Sequence, residues 1–359
     1  MVGAAVLTVV VLLGISWAQA VLRPGRTSVR LRTALWVRDM GGSWLLDSVE
    51  WVYYTLHKPP EGARPASLPA DNLPHVAYDG PRPALPRVRL LPGGPVRHGE
   101  GQFRPLGRLV RGAPALWSTF FAADRTHGSV FVGEVWMDPT RTRPVIAAGT
   151  LEPKGFASRW GGQVPLAVRP SLLAAFNGGF RFDQSDGGMY LDGRVAARLL
   201  PRAASLVVYR DGSVALGEWG RDVRMTPEVV AVRQNLRLIV DHGRADPGLA
   251  RNEHGEWSTW LNQGLYTWRS GVGIDRNGAL VYVAGDALTL EALGSALERG
   301  GAVRAMELDI HEEWVTFDVY EPDHGPALVR ARKLMPGMAG DPRHFLEPFE
   351  RDFVALLER

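Results

Sequence analysis

The fold is indicated most clearly by residues 268–310, which read WRSGVGIDRNGALVYVAGDALTLEALGSALERGGAVRAMELDI. Two largely apolar runs, Gly271–Asp275 and Ala279–Ala284, flank Asn277-Gly278. Because such a pair accepts positive φ angles, this pattern predicts a β-hairpin. A helix capped by Thr289 and ended by Gly300-Gly301 should follow, and it leads into a further strand.

The rest of the second half of the chain has the same character. Ser129–Trp136 is rich in β-branched and aromatic residues, which strands favour, and Leu172–Phe176 is typical of a buried strand. Asp192-Gly193 and Asp211-Gly212 predict two more hairpin turns. Strands joined by hairpins, with few helices, indicate an α+β fold with a mixed, hairpin-rich sheet rather than a doubly wound sheet.

Composition limits the classes of function. The chain has 359 residues, a formal net charge of +3 and no cysteine. This length suits one large domain or two small ones. A surplus of three charges does not indicate a nucleic-acid partner. Without cysteine there are no disulfides, no thiolate nucleophile and no cysteine-based zinc site.

The N-terminus carries an apolar run. Val2 to Leu22 contains no charged residue and is long enough to span a bilayer. A signal peptide cleaved after Ala18-Gln19-Ala20 and a buried core helix are the alternatives. We expect an uncleaved transmembrane helix over residues 1–22 that places the protein on the extracytoplasmic face of a membrane. Arg23 and Arg26 favour the opposite orientation by the positive-inside rule.

Three further segments follow the apolar run. Residues 23–57 are expected to form a juxtamembrane helical segment with a break at Gly41-Gly42. Residues 58–88 contain eight prolines and are expected to form a stiff, extended linker. We therefore place the globular domain at residues 89–359.

A glycine pair is the first candidate for ligand binding. Asn177, Gly178, Gly179 and Phe180 directly follow the predicted strand that ends at Phe176. Backbone N–H groups at such a turn can converge on an anion, and the missing side chains allow a ligand to approach. The Asn177 amide is suited to a sugar hydroxyl. The alternative is an ordinary structural turn.

The predicted strand Val303–Ile310 carries the second candidate. If the strand continues to residue 311, Glu307, Asp309 and His311 share one face, about 7 Å apart from neighbour to neighbour. Two carboxylates and an imidazole suit acid–base chemistry. A solvated sheet face and a metal site are the alternatives.

Arg269 is the third candidate. It precedes the Gly271 strand and follows Trp268. An arginine in this position can bind a phosphate with two parallel hydrogen bonds, although a surface arginine is the plain alternative. The sequence has no GxGxxG, phosphate-loop, HExxH or GxSxG motif.

Taken in order, these pieces resemble the phosphodiester glycosidase family, which includes the lysosomal enzyme that uncovers mannose 6-phosphate. The resemblance extends from about Leu116 to the C-terminus. It is carried by Ala175–Phe180, Arg233–Leu236, Val240–Gly243, Trp268–Asp275 with Gly278, the capped helix, and Ala305–Asp309. The whole chain is most similar to an actinobacterial, membrane-anchored branch of that family.

The resemblance implies a reaction. Family members break the bond between the anomeric carbon of a sugar and a phosphodiester oxygen. It implies that Arg269 and the turn at Asn177, Gly178, Gly179 and Phe180 bind the sugar phosphate. Asp309 becomes the candidate catalytic carboxylate, with Glu307 or His311 in support. No cofactor is assigned, and a divalent metal and the oligomeric state are left open.

One departure keeps a second function open. The family typically follows its Leu-Asp with Gly-Gly-Gly-Ser, whereas this chain has Ile310-His311-Glu312-Glu313-Trp314. The two glutamates would repel a phosphate dianion. The expected function is therefore a membrane-anchored envelope hydrolase of sugar-1-phosphodiesters, and the alternative is a non-catalytic envelope protein that binds glycans or sugar phosphates. A tethered scaffold protein is the third class considered.

Overall fold

The protein is seen in a computed structural model that describes residues 2–22, 29–63, 65–94, 96–183, 185–253, 255–257, 265–323, 325–338 and 340–359. The chain divides into two compact units, Met1–His57 and Lys58–Arg359. Arg23 and Arg26, which bear on the predicted orientation, lie outside the described residues.

The first unit is helical. Its elements are α1 (Val2–Val21), α2 (Val29–Val37), a π-helical turn (Arg38–Gly42) and α3 (Ser43–Leu56). Gly41 has a φ of 83°, which interrupts the helix at the predicted break. Helices α1 and α2 contact each other through polar groups, since the Trp36 indole donates to Ser16 Oγ at 3.0 Å.

The predicted transmembrane helix is not supported. A helix does form at Val2–Val21. Among the described residues, however, no helix is long and apolar enough to cross a membrane.

The second unit is built from strands. Helix α4 (Leu290–Arg299) and two 3₁₀ turns, Leu166–Ser171 and His344–Leu346, are its helical elements in the described residues. The strands are β1 Arg104–Val110, β2 Ala113–Ala122, β3 Phe131–Met137, β4 Thr142–Ala147, β5 Leu172–Asn177, β6 Met189–Leu191, β7 Arg194–Ala197, β8 Ala204–Tyr209, β9 Val214–Glu218, β10 Val229–Gln234, β11 Leu238–Asp241, β12 Arg244–Ala245, β13 Thr267–Ile274, β14 Leu280–Leu288, β15 Arg304–Ile310, β16 Phe317–Asp323, β17 Gly325–Lys333 and β18 Phe353–Glu358.

These strands form three sheets. Sheet A has the order β1-β2-β3-β14-β13-β15-β11-β12, sheet B has β17-β16-β5-β18-β4, and sheet C has β7-β6-β10-β8-β9. The predicted hairpin-rich fold with few helices is confirmed. The sheets are not mixed, because neighbouring strands in the described part of the chain are antiparallel throughout. The helical crossover from β14 to β15 leaves β13 between them, so the two like-directed strands never pair.

The local predictions from turns and caps are confirmed. Asn277-Gly278 joins β13 to β14, with Gly278 at a φ of 81°. Thr289 caps α4, since its hydroxyl accepts from Ala292 N at 3.2 Å. The strand predicted at Val303–Ile310 forms as Arg304–Ile310.

Two apolar layers cover the two faces of sheet A. One core lies between sheet A and sheets B and C, and it buries Tyr282, Met306 and Phe176. The other lies between sheet A and α4, where Val283 and Leu293 are buried. This arrangement brings the ends of β5 and β15 and the starts of β13 and β18 together, and the candidate site forms there.

The proline-rich segment is part of the second unit and packs against its strands. Leu73 is buried in the first core, and His75 forms a bridge with Leu106 of β1. Arg97 Nε donates to Pro65 O at 2.8 Å. The boundaries assigned to the linker at 58–88 and to the globular domain at 89–359 stay predictions.

Candidate active site

The glycine pair forms a tight turn at the end of β5. Gly178 N donates to Asp352 O at 3.0 Å, and Asp309 N donates to Gly178 O at 3.1 Å. A Cβ added at Gly178 would lie 2.0 Å from Asp352 Oδ2, and one at Gly179 would lie 2.8 Å from the Asn235 side chain. Glycine is therefore required at both positions because Asp352 and Asn235 approach the turn closely.

A buried ion pair holds this turn. Arg233 of β10 donates to both carboxylate oxygens of Asp352, at 2.8 and 3.1 Å, and both side chains are 1% exposed. Arg233 Nη2 also donates to Phe180 O at 2.6 Å. Asn235 accepts from Phe180 N at 3.1 Å and donates to Glu307 O at 2.7 Å. The Arg233–Leu236 motif thus has a structural role, since it ties the turn to β15 and β18.

Asn177 and Asp309 are brought together through Ser270. Asn177 Nδ2 donates to Ser270 Oγ at 2.9 Å, and Ser270 Oγ donates to Asp309 O at 2.9 Å. Asn177 Oδ1 accepts from Tyr282 OH at 3.0 Å and from Thr316 N at 3.1 Å. Since the Asn177 amide is 4% exposed and engaged on both sides, it positions the strand ends and is not available to a sugar hydroxyl.

Asp309 lies at the end of β15 and is 6% exposed. Its Oδ2 accepts from Arg351 Nη2 at 2.5 Å, and its Oδ1 accepts from Ile310 N at 3.0 Å. Burial raises the pKa of Asp309 to about 6, although Arg351 opposes the change. A carboxyl with this pKa is largely ionised at neutral pH and still accepts a proton readily.

Arg269 is not placed to bind a ligand. It is 1% exposed and forms an ion pair with the fully buried Glu307, with 2.7 Å between Nη1 and Oε1. Its Nε donates to Leu288 O at 2.8 Å. The cation beside Asp309 is Arg351, and Arg269 pairs with Glu307.

Glu307 lies beneath the site. Burial raises its pKa to about 7, the Arg269 charge opposes this, and Asp309 adds to it. The side chain is 0% exposed, so it has no surface for a substrate. Its contribution is to hold Arg269 and, through its backbone, Asn235.

His311 does not share a strand face with Glu307 and Asp309. Strand β15 ends at Ile310, and His311 has a φ of 74°. In this left-handed conformation the chain leaves the direction of the strand. Side chains alternate between faces only along extended backbone, so His311 does not continue the face of Glu307 and Asp309. The His311 ring contacts Thr267 Oγ1 at 3.3 Å, and His311 N donates to Trp268 O at 2.8 Å.

Arg351 is the functional candidate that the sequence did not reveal. Its Nη2 contacts Asp309 and also donates to Gly179 O at 3.1 Å, while its guanidinium lies 4.7 Å from the Trp314 ring centroid. Its Nε is buried without a partner among the described residues. An unused donor of Arg351 therefore lies beside a buried carboxylate. The only sequence hint is the charged pair Arg351-Asp352 directly before an apolar strand.

Within the described ranges, no group of three or more His, Asp or Glu side chains is arranged to hold a metal ion.

Comparison with known proteins gives structural matches only. No family model matches the sequence, and no curated protein matches it. Among solved structures, the chain is similar to the catalytic domain of zebrafish N-acetylglucosamine-1-phosphodiester α-N-acetylglucosaminidase auto-inhibited by its pro-peptide, with a TM-score of 0.47, 17% identity and coverage of 70% of this chain and 86% of that one. It is also similar to a hypothetical protein from Synechocystis (TM-score 0.39, 13% identity, 69% and 63% covered). A third match is a protein from Burkholderia pseudomallei described as exported (TM-score 0.39, 14% identity, 66% and 75% covered).

Proposed function

We propose that the chain is a hydrolase that cleaves a sugar-1-phosphodiester between the anomeric carbon and the phosphodiester oxygen. The observation that carries this proposal is the pairing of Asp309 with Arg351 beside Gly179, at the junction of β5, β15 and β18. A carboxylate for the sugar and a cation for the phosphate then lie within one small region. The ordered motifs that resemble the phosphodiester glycosidase family support the same reaction.

Arg351 binds the phosphate in this proposal, in place of Arg269. Its Nε has no partner in the described part of the chain, and the guanidinium is held at a fixed angle by Asp309, Gly179 and Trp314. A planar guanidinium matches two phosphate oxygens. Charge stabilisation of the leaving phosphate reduces the need for a general acid.

Asp309 acts at the anomeric carbon. Ionised above a pKa of about 6, it either stabilises the oxocarbenium-like centre as a nucleophile or activates water as a base. The anomeric configuration of the released sugar distinguishes these roles, because a nucleophile retains it and a base inverts it. The predicted extracytoplasmic location remains part of the proposal, and protease treatment of intact cells tests it.

A non-catalytic glycan or sugar-phosphate binding protein is the second candidate. The segment His311-Glu312-Glu313-Trp314 favours it, since it replaces a glycine-rich loop with bulky and acidic side chains. Both functions use the same region and differ in turnover.

The test is a hydrolysis screen with methyl phosphodiesters of glucose, mannose and N-acetylglucosamine at C1, in which released sugar is measured. We expect the wild-type chain to release sugar and Asp309→Asn to lower the rate by about 10²-fold or more. The matched control is Asp79→Asn, an exposed carboxyl in the proline-rich segment, which should leave the rate unchanged. Binding without turnover would select the second candidate. Neither binding nor turnover across the panel would overturn both.

A further inference from the structure

A buried carboxyl lies in sheet B and takes no part in the site described above. Asp318 is 0% exposed and follows Phe317 in β16. The Phe317 ring stacks on Phe176 in the core between sheets A and B. Because side chains alternate along a strand, Asp318 points to the opposite face of sheet B, where His344 Nδ1 lies 3.7 Å from its Oδ2.

The surroundings of this carboxyl satisfy it only in part. Thr316 Oγ1 donates to Asp318 Oδ2 at 3.1 Å, whereas Asp318 Oδ1 is buried without a partner among the described residues. Burial raises the pKa of Asp318 well above its ordinary value, although the Thr316 hydroxyl and the charge of Lys333 oppose the change. An apolar side chain of similar size would avoid the cost of such burial. A carboxyl at this position therefore needs a reason other than stability.

Thr316 connects Asp318 to Asn177. Its hydroxyl is held by Asp318, and its backbone is held by Asn177 at both polar atoms. Thr316 N donates to Asn177 Oδ1 at 3.1 Å, and Thr316 O accepts from Asn177 N at 3.2 Å. Since Thr316 is only 4% exposed, the position of its backbone depends on both of these neighbours.

Asn177 leads on to Asp309. Asn177 Nδ2 donates to Ser270 Oγ, and Ser270 Oγ donates to Asp309 O, each at 2.9 Å. A continuous chain of hydrogen bonds thus runs from Asp318 in sheet B to Asp309 near the end of β15 in sheet A. Buried hydrogen-bond networks of this kind make the groups that they hold more rigid.

We propose that Asp318 is a positioning residue for Asp309 and acts through this chain of hydrogen bonds. The role rests on the proposed function, in which Asp309 needs a fixed place at the anomeric carbon. Asp318 is fully buried, so it acts on the reaction only through other residues. Misplacement of a reacting group by about 1 Å can lower a rate about 10²-fold, so a remote anchor can outweigh its cost in stability.

The test replaces both partners of the bond between Thr316 and Asp318, as Thr316→Val combined with Asp318→Leu. Removing donor and acceptor together leaves neither group unpaired, so the double variant should fold. We expect its kcat for a sugar-1-phosphodiester to fall about tenfold or more. The KM should change less than about twofold, because Gly179 O still holds the Arg351 guanidinium.

Two single variants test the hydroxyl of Thr316. Thr316→Val changes the packing least and should lower kcat in the same direction by a smaller factor. Thr316→Ser keeps the hydroxyl and should retain the kcat of the wild type. A merely structural role for this side chain would not separate the two variants in kcat.

A second measurement does not depend on turnover. The pKa of Asp309 is followed by ¹³C NMR of its carboxyl group. In the wild type, the charged groups around this carboxyl are Arg351, Asp352 and Arg233. Displacement of Asp309 from Arg351 should raise this pKa in the double variant by about half a unit or more.

The matched control is Glu134→Leu. It removes another fully buried carboxyl without partners in the described part of the chain, on strand β3 and outside the chain of hydrogen bonds. Both readouts should stay at their wild-type values. A folded double variant with the kcat and the Asp309 pKa of the wild type would overturn the proposal, as would an equal loss of kcat in Glu134→Leu or in Thr316→Ser.

The two measurements separate this role from the proposed function. A wild-type chain that hydrolyses no sugar-1-phosphodiester would contradict the proposed function alone. The NMR titration would then decide the positioning role, since a raised pKa of Asp309 in the double variant supports it and an unchanged pKa overturns it.

Discussion

Arg351 and Asp309 form a contact between two sheets, with 2.5 Å between Arg351 Nη2 and Asp309 Oδ2. Asp309 is the penultimate residue of β15 in sheet A, and Arg351 lies two residues before the start of β18 in sheet B. The antiparallel arrangement of both sheets thus delivers the carboxylate and the guanidinium to the same point. This contact organises the candidate active site and generates the first prediction.

Replacement of Arg351 with Gln should raise the KM for a sugar-1-phosphodiester about 10- to 100-fold, since hydrogen bonds to charged groups contribute about 1.5–3 kcal/mol. It should also move the acid limb of the pH–rate profile to higher pH, because Arg351 lowers the pKa of Asp309 and its loss lets burial act unopposed. Steady-state kinetics from pH 4 to 9 measure both effects. An unchanged acid limb would show that Arg351 does not act on the pKa of Asp309 and is not part of the active site.

Arg269 should matter for stability rather than for binding. Replacing it with Met leaves the fully buried Glu307 without its cation, and breaking a buried pair in this way costs about 3–5 kcal/mol. Denaturant unfolding measures the loss. Arg224→Met, at an exposed position, should change stability by no more than about 0.5 kcal/mol. A stable Arg269→Met chain with weakened phosphate binding would restore the role first expected for Arg269.

Gly178→Ala should destabilise the protein by about 2–4 kcal/mol, because the added methyl group would lie 2.0 Å from Asp352 Oδ2 and 2.7 Å from Asp352 O. The matched control is Gly94→Ala, where an added Cβ meets nothing within 4 Å. Thermal unfolding compares the two. Equal melting temperatures for the two variants would show that the turn has room for a side chain, which is expected of an open ligand-binding loop and not of a packed turn.

Glu307, Asp309 and Glu134 should each contribute less to stability as pH rises, because these buried carboxyls hold their protons in the folded chain. Burial raises the pKa of Glu307 from 4.5 to about 7 and that of Asp309 from 3.8 to about 6, and it raises the pKa of Glu134 strongly. Between the unfolded and folded pKa values of each group, the group is ionised in the unfolded chain and protonated in the folded chain. Unfolding therefore releases protons there and is favoured by higher pH.

Glu134 isolates this effect. It is 0% exposed, and neither carboxylate oxygen has a partner in the described part of the chain. The side chain of the Glu134→Gln variant cannot ionise, so this variant should be more stable than wild type at pH 8 and similar to it at pH 4. Each unit by which the pKa differs between the folded and the unfolded chain corresponds to about 1.4 kcal/mol of stability. Chemical denaturation at both pH values measures this. Parallel stability–pH curves for the two chains would contradict it.

The fold was predictable from the sequence wherever the cause was local. Asn277-Gly278 and the Thr289 cap act through neighbouring backbone, and both formed as expected. The antiparallel order of the sheets was not predictable, since it depends on which distant strands pair. The reversal at His311 also escaped prediction, because alternation along a strand does not show where the strand ends.

The candidate site was predictable in part. Asp309 and the Gly178-Gly179 turn do lie together, although the glycines are explained by close packing against Asp352 and Asn235. The pairing of cations with carboxylates was not predictable, because Arg351 lies 42 residues from Asp309 and nothing local links them. Buried ion pairs of this kind are set by strand order, which the sequence pattern does not specify.

The most direct test of the central claim is the position of bond cleavage. A sugar-1-phosphodiester on which the wild-type chain is active is hydrolysed in H₂¹⁸O, and the phosphate monoester product is analysed by mass spectrometry. If Asp309 directs water to the anomeric carbon, the phosphate monoester contains no ¹⁸O and the label enters the sugar. Incorporation of ¹⁸O into the phosphate would show attack at phosphorus and would contradict the assignment of this site to glycosidic cleavage.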